Sequence, residues 1–236
     1  MTPKLLIAQP VGRLGVEPRC MASVFAVLLE GGRRGWDAAH VSYPGDTIGV
    51  ARGALATTAI EQGRDLLFWD ADVECPAAPI VAMVERADVE FIGAAYRQHC
   101  ESHALGERGR WAAPIDFQQE PVTGAIPAPM GLTLGLTVIR HAALVRMAEA
   151  HKDLEFVVRG RRIVGLFRED MHPETKWWRA EDIAFFCRAV AIGIKPWMVL
   201  DVPTVHHGPV ALAGNLAHDF AAVHVGQHAS PRPEAA

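Results

Sequence analysis

Two carboxylates one residue apart, Asp70 and Asp72, stand where the apolar run Leu66, Leu67, Phe68, Trp69 ends. In an extended chain alternate side chains point the same way, so both carboxylates are expected on one side. Two hard oxygen ligands together can hold Mg²⁺ or Mn²⁺ and still leave places for phosphate oxygens and water. A carboxylate pair abutting four apolar residues is also costly to leave without a partner. A second constellation is Glu181 and Asp182, preceded by Trp177, Trp178 and Arg179. Carboxylates in a first helical turn complement the helix dipole, and one of them could act as a general base near the mouth of a sheet. An adjacent tryptophan offers an apolar face to a sugar ring, or else packs. The third is the histidine pair His206 and His207, followed by Gly208 and Pro209, after the apolar stretch Trp197 to Leu200. A histidine in a loop after a strand can complete a divalent coordination shell, with glycine allowing close backbone approach.

The elements that must position these groups are read from periodicity. Leu5 to Ala8, ending at Gln9 and Pro10, suits a buried strand, and Pro18 to Leu29 has helical spacing of Met21, Val24, Phe25 and Leu28 before Gly31 and Gly32. A strand at Ala38 to Val41, a helix at Val50 to Ile60 stopped by Gly63, and a strand at Asp65 to Trp69 follow. Next come a helix from Pro76 to about Arg86 and a strand at Glu90 to Ala95. This alternation is the signature of an α/β domain: a mostly parallel sheet flanked by helices, with ligands beyond the carboxyl ends of the strands. The Gly- and Pro-rich segment Arg97 to Met130 breaks the pattern and reads as a lid or binding region. Leu132 to Ile139 resumes as a strand, His141 to Ala150 as a helix, Glu155 to Phe167 as a hairpin, Ala180 to Ile192 as a helix and Pro196 to Leu200 as a final strand. One domain over residues 1–228 is expected, with Ala229 to Ala236 a flexible tail.

Composition bounds the chemistry. The chain has 236 residues, 50% hydrophobic and 21% charged, which excludes wholesale disorder and is enough for one core. Lys and Arg number 23 against 27 for Asp and Glu, a net charge of −4, which argues against a strongly basic nucleic-acid binder. No run is long and apolar enough to span a bilayer, and the first residues do not make a signal-peptide core, so a cytoplasmic location is expected. The cysteines Cys20, Cys75, Cys100 and Cys187 form no CxxC pair and read as free thiols. Four arginines, Arg159, Arg161, Arg162 and Arg168, read as a solvated hairpin or an acceptor-phosphate site.

Taken in order, these pieces resemble the GT-A fold glycosyltransferases. The resemblance rests on Ile48 to Ala56 with Arg52, on the strand and DxD run Asp65 to Val73, and on the glycine-rich Gly131 to Arg140. It rests also on the Glu181–Asp182 pair and on His206 to Gly208, and it spans about Leu5 to Pro209. It implies a metal-dependent enzyme that moves a sugar from a nucleotide-sugar donor, UDP- or GDP-linked, to an acceptor hydroxyl, with inversion favoured. Carried onto this chain, it implies that Asp70, Asp72 and His206 hold Mn²⁺ or Mg²⁺, with His207 a substitute third ligand. Arg52 would approach the donor, Gln9 and Pro10 its base. Asp182 would be the general base, with Glu181 the second choice. Trp177, Trp178 and Gly131 are the substrate-binding candidates, and the acceptor is expected near the tryptophans or in the Arg97 to Met130 segment. The family's usual asparagine after the arginine is Gly53 here. The rival readings are a catalytically inactive nucleotide-sugar binding protein, for which Gly53 is the hint, and a sugar-phosphate nucleotidyltransferase. Against the latter, the segment after Gln9 lacks a lysine-bearing glycine-rich loop.

Overall fold

The structure is a computed structural model that describes residues 2–98, 110–112, 119, 121–128, 131–208 and 211–229. The first strand, β1 (Lys4–Val11), is buried from Leu5 to Pro10 and feeds α1 (Pro18–Arg33), which starts on a proline that needs no amide donor. Next come β2 (Asp37–Pro44) and α2 (Ile48–Gln62), which ends at Gly63 in the left-handed region with φ 62°. They lead to β3 (Asp65–Trp69), β4 (Val73–Glu74), α3 (Ala77–Glu85) and β5 (Phe91–Ala94). Short strands β6 (Arg97–Gln98) and β7 (Arg110–Trp111) pair with each other, and β8 (Ala125–Pro127) and β9 (Leu136–Ile139) return to the main sheet. Beyond α4 (His141–Ala150) lie two hairpins, β10 (Phe156–Val158) with β11 (Arg161–Ile163), and β12 (Asp170–Met171) with β13 (Trp178–Arg179). The chain closes with α5 (Glu181–Ala191), β14 (Pro196–Val199), β15 (Thr204–His206), β16 (Leu212–Gly214) and α6 (Leu216–Ala229).

Seven strands form one sheet in the order β2-β1-β3-β9-β5-β14-β8. Strict alternation along β1 sends Leu6 and Ala8 to one core and Leu5 and Ile7 to the other. The first core is covered by α2, α4, α5 and the start of α6, the second by α1 and α3. The α/β expectation of a sheet with helices on both faces therefore holds.

Three details depart from the sequence reading. β9 runs antiparallel to both of its neighbours, β3 and β5, and β8 is antiparallel to β14, so the sheet is mixed. A short apolar run carries no information about strand direction, which is set by where the preceding segment delivers the chain. Second, β14 is not the last element: β15 and β16 add a small three-stranded sheet with β4, and α6 follows. His206 accordingly sits on a strand rather than in a loop. Third, Ala229, expected in the tail, ends α6; residues 230–236, with Cys100 and much of the segment between Arg97 and Met130, lie outside the described residues.

The reversal of β9 matters for function. Because it runs against β1 and β3, the residues that precede it, Thr133 to Gly135, arrive at the sheet edge where β1 and β3 end, and the Asp70 amide donates to the Gly135 carbonyl at 2.8 Å.

Candidate functional site

At that edge a cleft of about 1010 Å³ opens, lined among others by Pro10, Arg52, Asp70, Asp72, Glu181, Asp182 and His206. Its inner half is built around Arg52, which α2 presents from its first turns and which is 4% exposed. One guanidinium nitrogen donates to Asp70 Oδ1 at 2.9 Å and the other to Glu181 Oε1 at 2.5 Å. The Arg52 Nε is buried without a partner among the described residues. Asp70 Oδ2 accepts a 2.6 Å hydrogen bond from the Tyr96 hydroxyl. Burial first, then the neighbouring Asp70 charge, pushes the Tyr96 phenol well above its usual value, so it remains a donor. Burial likewise raises Glu181; the pull of Arg52 is outweighed once the Asp182 and Asp70 charges are added.

The outer half is open. The Asp72 side chain is 51% exposed against 20% for Asp70, and its Oδ2 lies 3.4 Å from His206 Nε2. The other imidazole nitrogen, Nδ1, donates to the Arg97 carbonyl at 2.7 Å, which fixes the ring's orientation. Burial lowers the proton affinity of His206, but the Asp72 hydrogen bond and charge, the Arg97 carbonyl and Asp70 together raise it above the ordinary value. Asp182, in the first turn of α5, uses Oδ1 to accept from the Ile183 amide at 2.7 Å.

The cleft thus gathers Pro10, Arg52, Asp70, Asp72, Glu181, Asp182 and His206 from five separate places in the sequence, and leaves other expected residues outside. Gln9 is fully buried and turned inward: its amide donates to Cys20 Sγ at 3.3 Å, and its carbonyl accepts from His40 at 2.8 Å. Gly131 lies against the Phe186 ring at φ 113°, a left-handed conformation glycine tolerates, and is not among the lining residues. Trp178 lines a different hollow, and Trp177 is exposed outside both. His207 lines the cleft, but its Nε2 is engaged by Glu74 Oε2 at 2.9 Å. Asp70, Asp72 and His206 do not form a ready ligand trio. Among the described residues no group of three His, Cys, Asp or Glu side chains is gathered to hold a metal ion. Both Asp70 oxygens are engaged, by Arg52 and by Tyr96.

No protein-family model matches the chain, and no curated protein matches it. Its fold is that of a known viral structure. The crystal structure of A197 from STIV superposes with a TM-score of 0.52 at 15% identity, covering 90% of this chain and 94% of that one. At that identity the likeness is one of fold. No helix among the described residues is long and apolar enough to cross a membrane.

Sequence reasoning missed Tyr96 and the role of Gly135. A Cβ at Gly135 would lie 2.3 Å from Asp70 Oδ2 and 2.4 Å from the Tyr96 hydroxyl, so only glycine leaves room for that hydrogen bond. The signal was present as a glycine in the apolar run before β9, but nothing local says which side chain needs the space. Gly53 also acquires a reason. A Cβ there would meet Ile163 Cγ2 and the Val164 carbonyl, each at 2.9 Å, and one at Gly49 would meet the Phe167 carbonyl at 2.6 Å. One turn apart on α2, these two glycines let the segment 163–167 lie directly on the helix.

Proposed function

We propose that this protein is a glycosyltransferase that binds a nucleotide sugar in the cleft and transfers the sugar to an acceptor hydroxyl. The observation that carries the reading is the convergence of Arg52, Asp70, Asp72, Glu181, Asp182 and His206 in one cleft at the carboxyl ends of β1 and β3. The shared fold with A197 from STIV is compatible with it. The rival of an inactive binding protein loses its hint, since Gly53 is explained by packing against Val164.

Asp72 and His206 would supply two ligands of a divalent ion, Mn²⁺ or Mg²⁺, His206 through Nε2 while Nδ1 is held by a carbonyl, and the remaining ligands would have to come from donor phosphate oxygens and water. Such an ion, when bound, neutralises charge on the departing nucleoside diphosphate. Asp70 takes a supporting part, since both its oxygens are engaged. Asp182, half-buried and lining the cleft at a helix N-terminus, accepts the proton of the attacking hydroxyl, while Glu181 stays paired with Arg52. This assignment corresponds to inversion at the anomeric carbon.

The test is release of nucleotide from a panel of UDP-, GDP-, CMP- and dTDP-sugars with Mn²⁺, with and without chelator. Chelator-sensitive release from one donor is expected; no release, and no thermal stabilisation by any nucleotide, would sink the reading. Asp182→Asn is expected to cut transfer at least a hundred-fold (about 10²–10⁴ for a general base) while nucleotide affinity, measured by calorimetry, is retained. Loss of affinity instead would make Asp182 a donor contact.

A further inference from the structure

A second hollow, about 550 Å³, lies beside the first turn of α2 and shares Ile48 as a wall with the cleft. That size is within the range of small-molecule sites. Its walls are apolar: Val50, Leu154, Phe156, Phe167 and Trp178 contribute, with Arg168 and Glu169 exposed at the rim. It reaches the catalytic helix at Gly49, where a Cβ would stand 3.8 Å from the Glu181 Cβ.

Two features point to a ligand rather than to a gap in packing. Ile48 is 39% exposed and Trp178 58%, and the backbone at Trp178 is paired with Met171 in a hairpin. Its hairpin is tied to α5 through Asp170, which accepts from Arg179 Nε at 2.5 Å and from Arg188 at 2.7 Å. Two large apolar side chains exposed together on the walls of one apolar hollow make a patch of the kind that marks a ligand-binding groove. The second feature is charge. Of the four arginines in this region, Arg159 faces Asp46 at 3.5 Å, Arg161 faces Glu61 at 2.6 Å and Arg162 faces Glu155 at 3.0 Å. Arg168, the one lining the hollow, has no acidic partner among the described residues.

We propose that this hollow seats the apolar body of the acceptor, an alcohol bearing an aryl or alkyl group, so that the acceptor is not a plain sugar. The proposal rests on the glycosyl-transfer reading above. The hydroxyl end passes Ile48 into the cleft. There its oxygen bonds to the anomeric carbon and the bond from that carbon to the diphosphate oxygen breaks. The electron pair leaves with the nucleoside diphosphate, and the hydroxyl proton passes to Asp182.

The probe pair is n-octyl β-D-glucoside, used below its micelle-forming concentration, and methyl β-D-glucoside, which carries the same hydroxyls without the chain. Binding to the full chain is followed by calorimetry and by saturation-transfer NMR. Octyl glucoside is expected to bind at least ten-fold more tightly than methyl glucoside, and to weaken at least five-fold in Trp178→Ala and in Phe156→Ser. Equal binding of the two glucosides, or octyl binding untouched by Trp178→Ala, would overturn the proposal. Since Trp178 is exposed, that variant decides the matter even where Phe156→Ser fails to fold. Sedimentation adds a third arm: a wild-type dimer that Trp178→Ala dissociates, with octyl binding unchanged, makes the surface a self-association face and also overturns it. The donor panel separates the two ideas. Octyl glucoside that binds as expected, with no nucleotide released from any donor, leaves the hollow and removes the transfer reading. Nucleotide release that octyl glucoside neither binds to support nor accelerates beyond methyl glucoside removes the hollow and keeps the transfer.

Discussion

Asp70 and Asp72 are two residues apart and chemically identical, yet the two halves of the cleft use them in opposite ways. Asp70 is 20% exposed and spends both oxygens on Arg52 and Tyr96; Asp72 is 51% exposed and, among the described residues, its carboxylate faces His206 at 3.4 Å. The inner half is a closed network in which each carboxylate is paired with a buried donor. The outer half presents acceptors with room between them. A buried charge network is expensive to break and sets geometry, whereas an exposed carboxylate is cheap to hold and free to meet a ligand. On the proposed reading, rigidity falls to Asp70, Glu181, Arg52 and Tyr96, and chemistry to Asp72, Asp182 and His206.

The largest expected contrast breaks the inner network directly. Arg52→Leu leaves Asp70 and Glu181 partly buried beside each other without their cation, and is expected to lower unfolding stability by about 3–5 kcal/mol in urea titrations. Asp72→Asn is expected to change stability by no more than about 0.5 kcal/mol and to abolish chelator-sensitive nucleotide release. Comparable stability losses in the two variants would erase the distinction between the halves.

A smaller effect sharpens it. Gly135→Ala puts a methyl group 2.3 Å from Asp70 Oδ2 and 2.4 Å from the Tyr96 hydroxyl, so the pair must part. The expected cost is about 1–3 kcal/mol, the usual range for overpacking. An unchanged urea midpoint would show that Asp70 does not depend on Tyr96.

Tyr96→Phe removes the same hydrogen bond without overpacking, with a loss of about 1.5–3 kcal/mol, the range for a hydrogen bond to a charged group, toward the lower end because Arg52 still holds Asp70. Its pH dependence has a definite sign. The phenol's folded value is raised well above its usual 10.0, so the stabilisation is fully present below pH 10 and is lost as pH rises through the folded value. The gap between wild type and Tyr96→Phe should therefore be constant from pH 7 to 9 and shrink in still more alkaline solution. A gap that widens there would mean that the phenol ionises more readily when folded.

Much of this was legible in the residues. Alternation of apolar strands and helices through the first hundred residues located β1, β2, β3 and β5 and α1 to α3, though not the two-residue β4, and the carboxylates at the end of β3 were found because they abut Phe68 and Trp69. The Glu155 to Phe167 hairpin was anticipated, with Arg159 and Gly160 making its turn at positive φ. Less legible were elements whose signal is weak or shared. Helix α6 was missed because its apolar residues Leu216 and Phe220 are diluted by alanines, histidines and a glycine, and β12 with β13 because two-residue strands have no periodicity. Gln9 was expected to face the nucleotide because it ends a strand; its neighbours Cys20 and His40 come from other elements and turn it inward.

By itself the sequence determined which residues carry charge, which runs are apolar and where helices stop, because those properties are local to a few neighbouring side chains. It brought Asp70, Asp72, Glu181, Asp182 and His206 forward as chemical groups. Which of them would be free was decided by the assembled fold. Arg52 reaches Asp70 across 18 residues and Glu181 across 129, and Tyr96 reaches Asp70 across 26. Partnership over such separations depends on the order of strands in the sheet and on the reversed direction of β9, and neither is written in any local pattern.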